Sequence, residues 1–186
     1  MAKIGLENFL YAVATVNPAT GAITYGGAKK PGKAVSFNMT VNKADATLYA
    51  DDGLAESDDA VTGGDITLGI DRYDLTTMAE ILGHTITEGE VVDNTADVAP
   101  YVGLGRITPL MVDNQRKFRA TILALCQFSE PDDSDTTRGE TVEFGTYEIP
   151  GKLIIPTNGE WRKRQVFDTA AAAAAYITSA FAAPNP

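Results

Sequence analysis

The sequence is short of the residues on which most enzyme chemistry depends. In 186 residues there is one cysteine, Cys126, and one histidine, His84. A single cysteine excludes an intrachain disulfide and a Cys-rich zinc site. It agrees with folding in a reducing cytoplasm. Cys126 lies within an alternating apolar run, Phe118 to Phe128, the setting of a buried and inert thiol. Any Ser-His-Asp or Cys-His mechanism would have to use His84. That residue directly follows Gly83 at the end of a predicted helix, where an imidazole is commonly a cap or a surface group. Aromatic residues make up 8% and Trp161 is the only tryptophan, which argues against a carbohydrate-binding module. Positive charge is also scarce, with 15 Lys and Arg against 25 Asp and Glu, a formal net charge of −10. Nucleic-acid binding over a broad face needs local positive charge and is not expected. The longest run of small apolar residues, Ala170 to Ile177, is far below the ~20 residues of a membrane helix. Glu7 and Asn8 stand where a signal peptide would turn apolar, so secretion is not expected. The expectation is a protein soluble when made.

What the chain does contain is period-2 alternation. Its length suits one domain, which would bury roughly 70% of its unfolded surface without a metal or disulfide. With 44% hydrophobic and 22% charged residues, a folded chain is expected. Val35, Phe37, Met39 and Val41 alternate with polar neighbours, as do Ile66, Leu68 and Ile70. Phe118, Ala120, Ile122, Ala124, Cys126 and Phe128 share one parity, while Leu123 and Leu125 imply contact on both faces. Thr141 to Ile149 reads as a strand ending at a turn, Pro150-Gly151, and residues 4–16 with 20–26 read as a hairpin. Asp74 precedes a helical face of Leu75, Met78, Ala79 and Leu82, with Gly83 as its stop. A second, alanine-rich helix is predicted over about 168–182, with Ala174, Ile177 and Phe181 as its stripe and Pro184 beyond. The fold class is therefore mainly β, a β-sandwich or partly closed barrel, with a short packed helix at about 74–83 and a C-terminal helix.

Two polar segments interrupt this pattern. Ala50 to Gly64 is acidic and long for a strand connection, and Glu130 to Gly139 lies between two strong strands. Neither Asp51-Asp52-Gly53 nor Asp132-Asp133-Ser134-Asp135 has the ligand spacing of a calcium loop, so solvated charge is the favoured reading. Gly103-Leu104-Gly105 lacks the third glycine of a dinucleotide fingerprint, and no phosphate loop is present. No catalytic residue, metal site or cofactor is assigned. The basic stretches Lys29-Lys30-Pro31-Gly32-Lys33 and Arg162-Lys163-Arg164 could touch nucleic acid, or meet an acidic patch on a neighbouring subunit.

Several segments taken together resemble the phi13-like major tail proteins of long-tailed, non-contractile bacteriophages. They are Met1 to Asn8 with the following hairpin, Ala46 to Ser57, Asp65 to Asp71, Leu82-Gly83-His84, Ala99 to Gly105, Phe128 to Pro131, and Arg138 to Phe144. They occur in the family's order and span most of residues 1–160. The resemblance implies a tail-tube β domain over 1–160 and a helical extension over 161–186 packed on or beside it. It implies a non-enzymatic virion protein, made and assembled in the host cytoplasm, that stacks as homohexameric rings. DNA would pass through the tube without specific binding, and no membrane is involved. Tape measure, tail terminator and distal tail proteins are the implied partners. On this basis loop 44–64 is expected to be a ring-stacking arm, with contacts from Leu48, Tyr49, Asp51, Asp52, Leu54 and Glu56. Asp65, Asp71, Glu143 and Glu148 are the lumen-facing candidates. The alternatives are the inner tube of a contractile injection device and a non-catalytic β-sandwich binding module.

Overall fold

The computed structural model describes residues 2–50, 53–72, 74–133 and 146–182; along 45–50 and 53–59 the description is of backbone pairing. Its strands are β1 (Ala2–Lys3), β2 (Glu7–Val16), β3 (Ile23–Tyr25), β4 (Ala34–Ala50), β5 (Gly53–Ile70), β6 (Thr85–Thr87), β7 (Glu90–Val92), β8 (Tyr101–Val112), β9 (Gln115–Phe128), β10 (Tyr147–Ile154) and β11 (Arg162–Phe167). The helices are α1 (Leu75–Leu82) and α2 (Ala170–Ala180). The fold is mainly β, as the alternation predicts. One antiparallel sheet runs in the order β3-β2-β8-β9-β10-β5-β4, with β1 added to β8 and β11 to β9; β6 and β7 form a separate pair. The path ends at β3 and β4, which do not pair with each other. The sheet is open and does not close into a barrel.

Strand β9 is the pivot. Its first half pairs with β11, from Phe118↔Phe167 to Leu123↔Arg162, and its second half pairs with β10, from Leu125↔Ile154 to Phe128↔Gly151. Between the halves, Leu123 and Cys126 face Leu104 and Val102 of β8, one residue more on β9 than on its partner. Such a bulge bends a strand and lets it pass from one layer to another. The bulge also breaks the uniform parity expected for 118–128. Ala120 and Ile122 are buried in one apolar cluster, whereas Leu123, Cys126 and Phe128 are buried in the other.

The larger cluster joins Phe9, Tyr11 and Leu104 to Ile66, Leu68, Ile149 and Leu153 from the other half of the sheet. The sheet therefore folds over its own core, and Phe9 of β2 meets Phe37 of β4 with ring centroids 5.5 Å apart. Helix α1 closes this core with Met78, Ile81 and Leu82; Leu75, expected on its apolar stripe, is exposed. Gly83 stops the helix in the left-handed region at φ 83°. The smaller cluster lies on the opposite face of β2, β8 and β9, under α2, whose Ala173, Ile177 and Phe181 are fully buried. The stripe thus starts at Ala173 rather than Ala174, and Pro184 lies outside the described residues. Thr169 caps the helix by accepting from the Ala172 amide at 3.2 Å.

Two further expectations change. Pro150-Gly151 is not a turn but the middle of β10. The Pro150 carbonyl accepts from the Ser129 amide, so the side without an N–H faces the end of β9, where no ladder donor is required. Gly53 to Gly64 is not a loop either. Strands β4 and β5 pair antiparallel out to Ala50↔Gly53, with register shifts between Asn42 and Lys43 and between Leu48 and Tyr49.

Candidate functional site

Strand β10 accompanies β5 only from Gly64 to Ile70. From Lys43↔Val61 outward, β4 and β5 pair with each other and with no other strand among the described residues. At about 3.3 Å per residue, the seven residues from Ala44 to Ala50 make this two-stranded arm roughly 23 Å long. Of the residues expected to make inter-ring contacts, Leu48, Tyr49, Leu54 and Glu56 lie on the arm's backbone, in the register Leu48↔Glu56 and Tyr49↔Leu54. Asp51 and Asp52 lie outside the described residues.

The lumen candidates divide. Asp65 and Glu148 are exposed and share the outer face of the β4-β5-β10 layer, opposite the core positions Ile66, Leu68 and Ile149. Asn38, Thr40, Thr67 and Lys152 belong to the same face by register. Lys152 stands directly opposite Asp65, so the face is polar and mixed in charge. Asp71 has a different role. Its carboxylate accepts from the Lys33 and Arg72 amides, each at 2.9 Å, and fastens the chain before β4 to the end of β5. The Lys33 amide bond is the main reason its carboxyl titrates below the usual range. Glu143 lies outside the described residues.

Around His84 the fold assembles a cluster that the sequence did not announce. Its Nδ1 lies 2.8 Å from Asp97 Oδ2, and its Nε2 lies 3.1 Å from Glu130 Oε2 and 3.6 Å from Asp93 Oδ1. The imidazole is held with its pKa above the usual value, chiefly by the Asp97 bond. Asp97 titrates correspondingly low. His84, Asp93 and Glu130 each offer one ligand atom, all within 4.8 Å of one another. A metal centre would require those atoms to regroup at about 2 Å from an ion. As they stand, the distances are those of an ion-pair clasp joining the end of α1 to segment 93–97 and to the chain after β9. Asp93 and Glu130 are both mostly exposed.

The most unusual site is basic. Arg106 of β8 stands opposite Thr121 of β9, and Thr121 stands opposite Arg164 of β11. Arg119 and Arg162 lie two residues along on β9 and β11, respectively, on the same face. With Lys3 they line a cleft of about 370 Å³, whose remaining wall is Phe37, Asn38 and Met39 of the edge strand β4. The Arg106 guanidinium lies 4.2 Å from the Phe37 ring centroid. Among the described residues, no carboxylate pairs with any of these five cations. The buried Nε atoms of Arg106 and Arg119 and the buried Thr121 hydroxyl have no hydrogen-bond partner. Burial, then the charges of Arg119 and Arg162, push the Arg106 pKa down to about 10. Burial and the charge of Arg164 lower that of Arg162 as well. Cys126 is fully buried, and burial raises its thiol pKa.

Gly103-Leu104-Gly105 is a seat for α2. A Cβ at Gly105 would stand 2.3 Å from Ile177 Cγ2, and one at Gly103 would stand 2.5 Å from the Tyr25 ring and 2.8 Å from Phe181.

No protein-family model matches the chain, and no curated protein sequence matches it. Among solved structures it is similar to the anti-feeding prophage cap, a tube terminating cap, at 10% identity and a TM-score of 0.48, covering 89% of this chain and 92% of that one. No helix among the described residues is long and apolar enough to cross a membrane.

Proposed function

We propose that the chain is a structural subunit of a bacteriophage tail tube, the major tail tube protein, stacking as hexameric rings around a channel for DNA. The observation that carries this reading is the β4–β5 arm, whose strands beyond Lys43↔Val61 pair with each other and with no other strand among the described residues. A two-stranded ribbon has little stability alone and gains it by docking on another surface. Among the described residues no strand pairs with the outer edge of β4 along Ser36–Val41, an edge that a neighbouring subunit can complete. The ordered motifs over residues 1–160 support the same reading, as does the absence of any assigned catalytic group.

In this arrangement the arm bridges to the adjacent ring, with Leu48, Tyr49 and Leu54 as apolar anchors. The polar outer face bearing Asp65 and Glu148 lines the channel, where two carboxylates against the single Lys152 leave phosphate little to adhere to. The tape measure, terminator and distal tail proteins are its partners. Ring-to-ring contact is head to tail, so growth continues as a filament. Negative-stain electron microscopy of the purified chain across a concentration series is the test. Stacked rings with sixfold end views are expected, and single-chain particles at every concentration would contradict the proposal.

A further inference from the structure

The basic cleft has no partner within its own described chain, although the protein carries ten more acids than bases. Four arginines from three adjacent strands and Lys3 converge there, with the buried Thr121 hydroxyl and two buried Nε atoms unpaired. Bringing like charges together at a partly buried site is costly unless an anion completes it. The chain itself contains a segment of opposite character. Between Ala44 and Ala60 stand Asp45, Asp51, Asp52, Glu56, Asp58 and Asp59, without a single Lys or Arg. Through this segment β4 and β5 pair with each other out to Ala50↔Gly53, and β4 is also the strand that walls the cleft.

We infer that the cleft of Lys3, Arg106, Arg119, Arg162 and Arg164 is the receptor for the acidic β4–β5 arm of a second copy of this chain. This rests on the tube reading and names the surface on which the arm lands. Arginine suits the role because its planar donors remain charged and can take carboxylates two at a time. Phe37 holds Arg106 against its ring, which orients the guanidinium before the carboxylate arrives. The contact is heterologous, each copy giving an arm and receiving one, so it propagates.

Two full-length variants test it. One reverses the arm (Glu56→Lys, Asp58→Lys, Asp59→Lys), and the other reverses the more exposed side of the cleft (Arg162→Glu, Arg164→Glu). Circular dichroism melting first establishes that both fold. Sedimentation velocity should show that each alone needs at least about tenfold more protein to assemble than the intact chain. Mixed one to one, each variant's arm complements the other's cleft, and assembly should return to within a few-fold of the intact chain. A mixture no better than its components, or normal assembly by the cleft variant alone, would overturn the inference. If the cleft only binds inorganic phosphate, added phosphate protecting the chain from unfolding without inhibiting assembly, that too would overturn it. An intact chain that never assembles would instead overturn the tube reading itself, which separates the two failures. If Arg162→Glu with Arg164→Glu fails to fold, Arg162→Gln with Arg164→Gln provides the cleft variant, expected to raise the assembly concentration by a smaller factor.

Discussion

His84 has carboxylates at both ring nitrogens, so the clasp it forms is strongest when the imidazole is protonated. Because its folded pKa lies above the unfolded value near 6.5, its contribution is complete below about pH 6.5. That contribution is lost as pH rises through the raised folded value. Asp97 acts in the other direction. Its folded pKa is depressed, so its contribution is present above its ordinary value and is lost as pH falls through the depressed one. The clasp therefore works between these two limits. Denaturant midpoints measured from pH 5.5 to pH 9 should fall more for the intact chain than for His84→Gln. Parallel curves would remove His84 as the cause. None of this was legible in the sequence, because Asp93, Asp97 and Glu130 meet the imidazole only through tertiary folding. The cleft was hidden for the same reason. Arg162 and Arg164 have the i, i+2 spacing that puts two strand residues on one face, but register alone adds Arg106 and Arg119.

The seat of α2 can be tested through its glycines. Valine at Gly105 would drive Cβ into Ile177, which has no solvent to move into because it is fully buried. Gly105→Val should destabilise by about 1–3 kcal/mol in urea unfolding, the range for overpacked cores. Gly5→Ala, where nothing lies within 4 Å, should stay within about 0.5 kcal/mol. An equal effect at both positions would contradict the docking account. Elements with a buried face were largely readable. Ile66, Leu68 and Ile70 alternate because one side of β5 faces the core, and Asp74 to Gly83 carries both the stripe and the stop of α1. The arm was unreadable as strand because Gly53 to Ala60 carries no apolar–polar alternation. The β9 bulge was equally silent. One added residue swaps the faces without changing the composition.

At the scale of the whole molecule, the described body and the arm divide the work. Two apolar clusters on opposite faces of β2, β8 and β9 hold the body together, and the outer parts of β4 and β5 pair with each other. Because Lys43 pairs with Val61, residues 44–60 can be replaced by Asn-Gly, the two-residue turn that closes such a ribbon. The trimmed chain should unfold within about 1 kcal/mol of the intact one, since none of the described residues of either core cluster is removed. The central claim is that this arm joins one copy to the next. Negative-stain microscopy of the intact and trimmed chains, at matched concentrations, tests it most directly. Tubes from the intact chain and none from the trimmed chain are the predicted result; equally long tubes from both, or none from either, would contradict it.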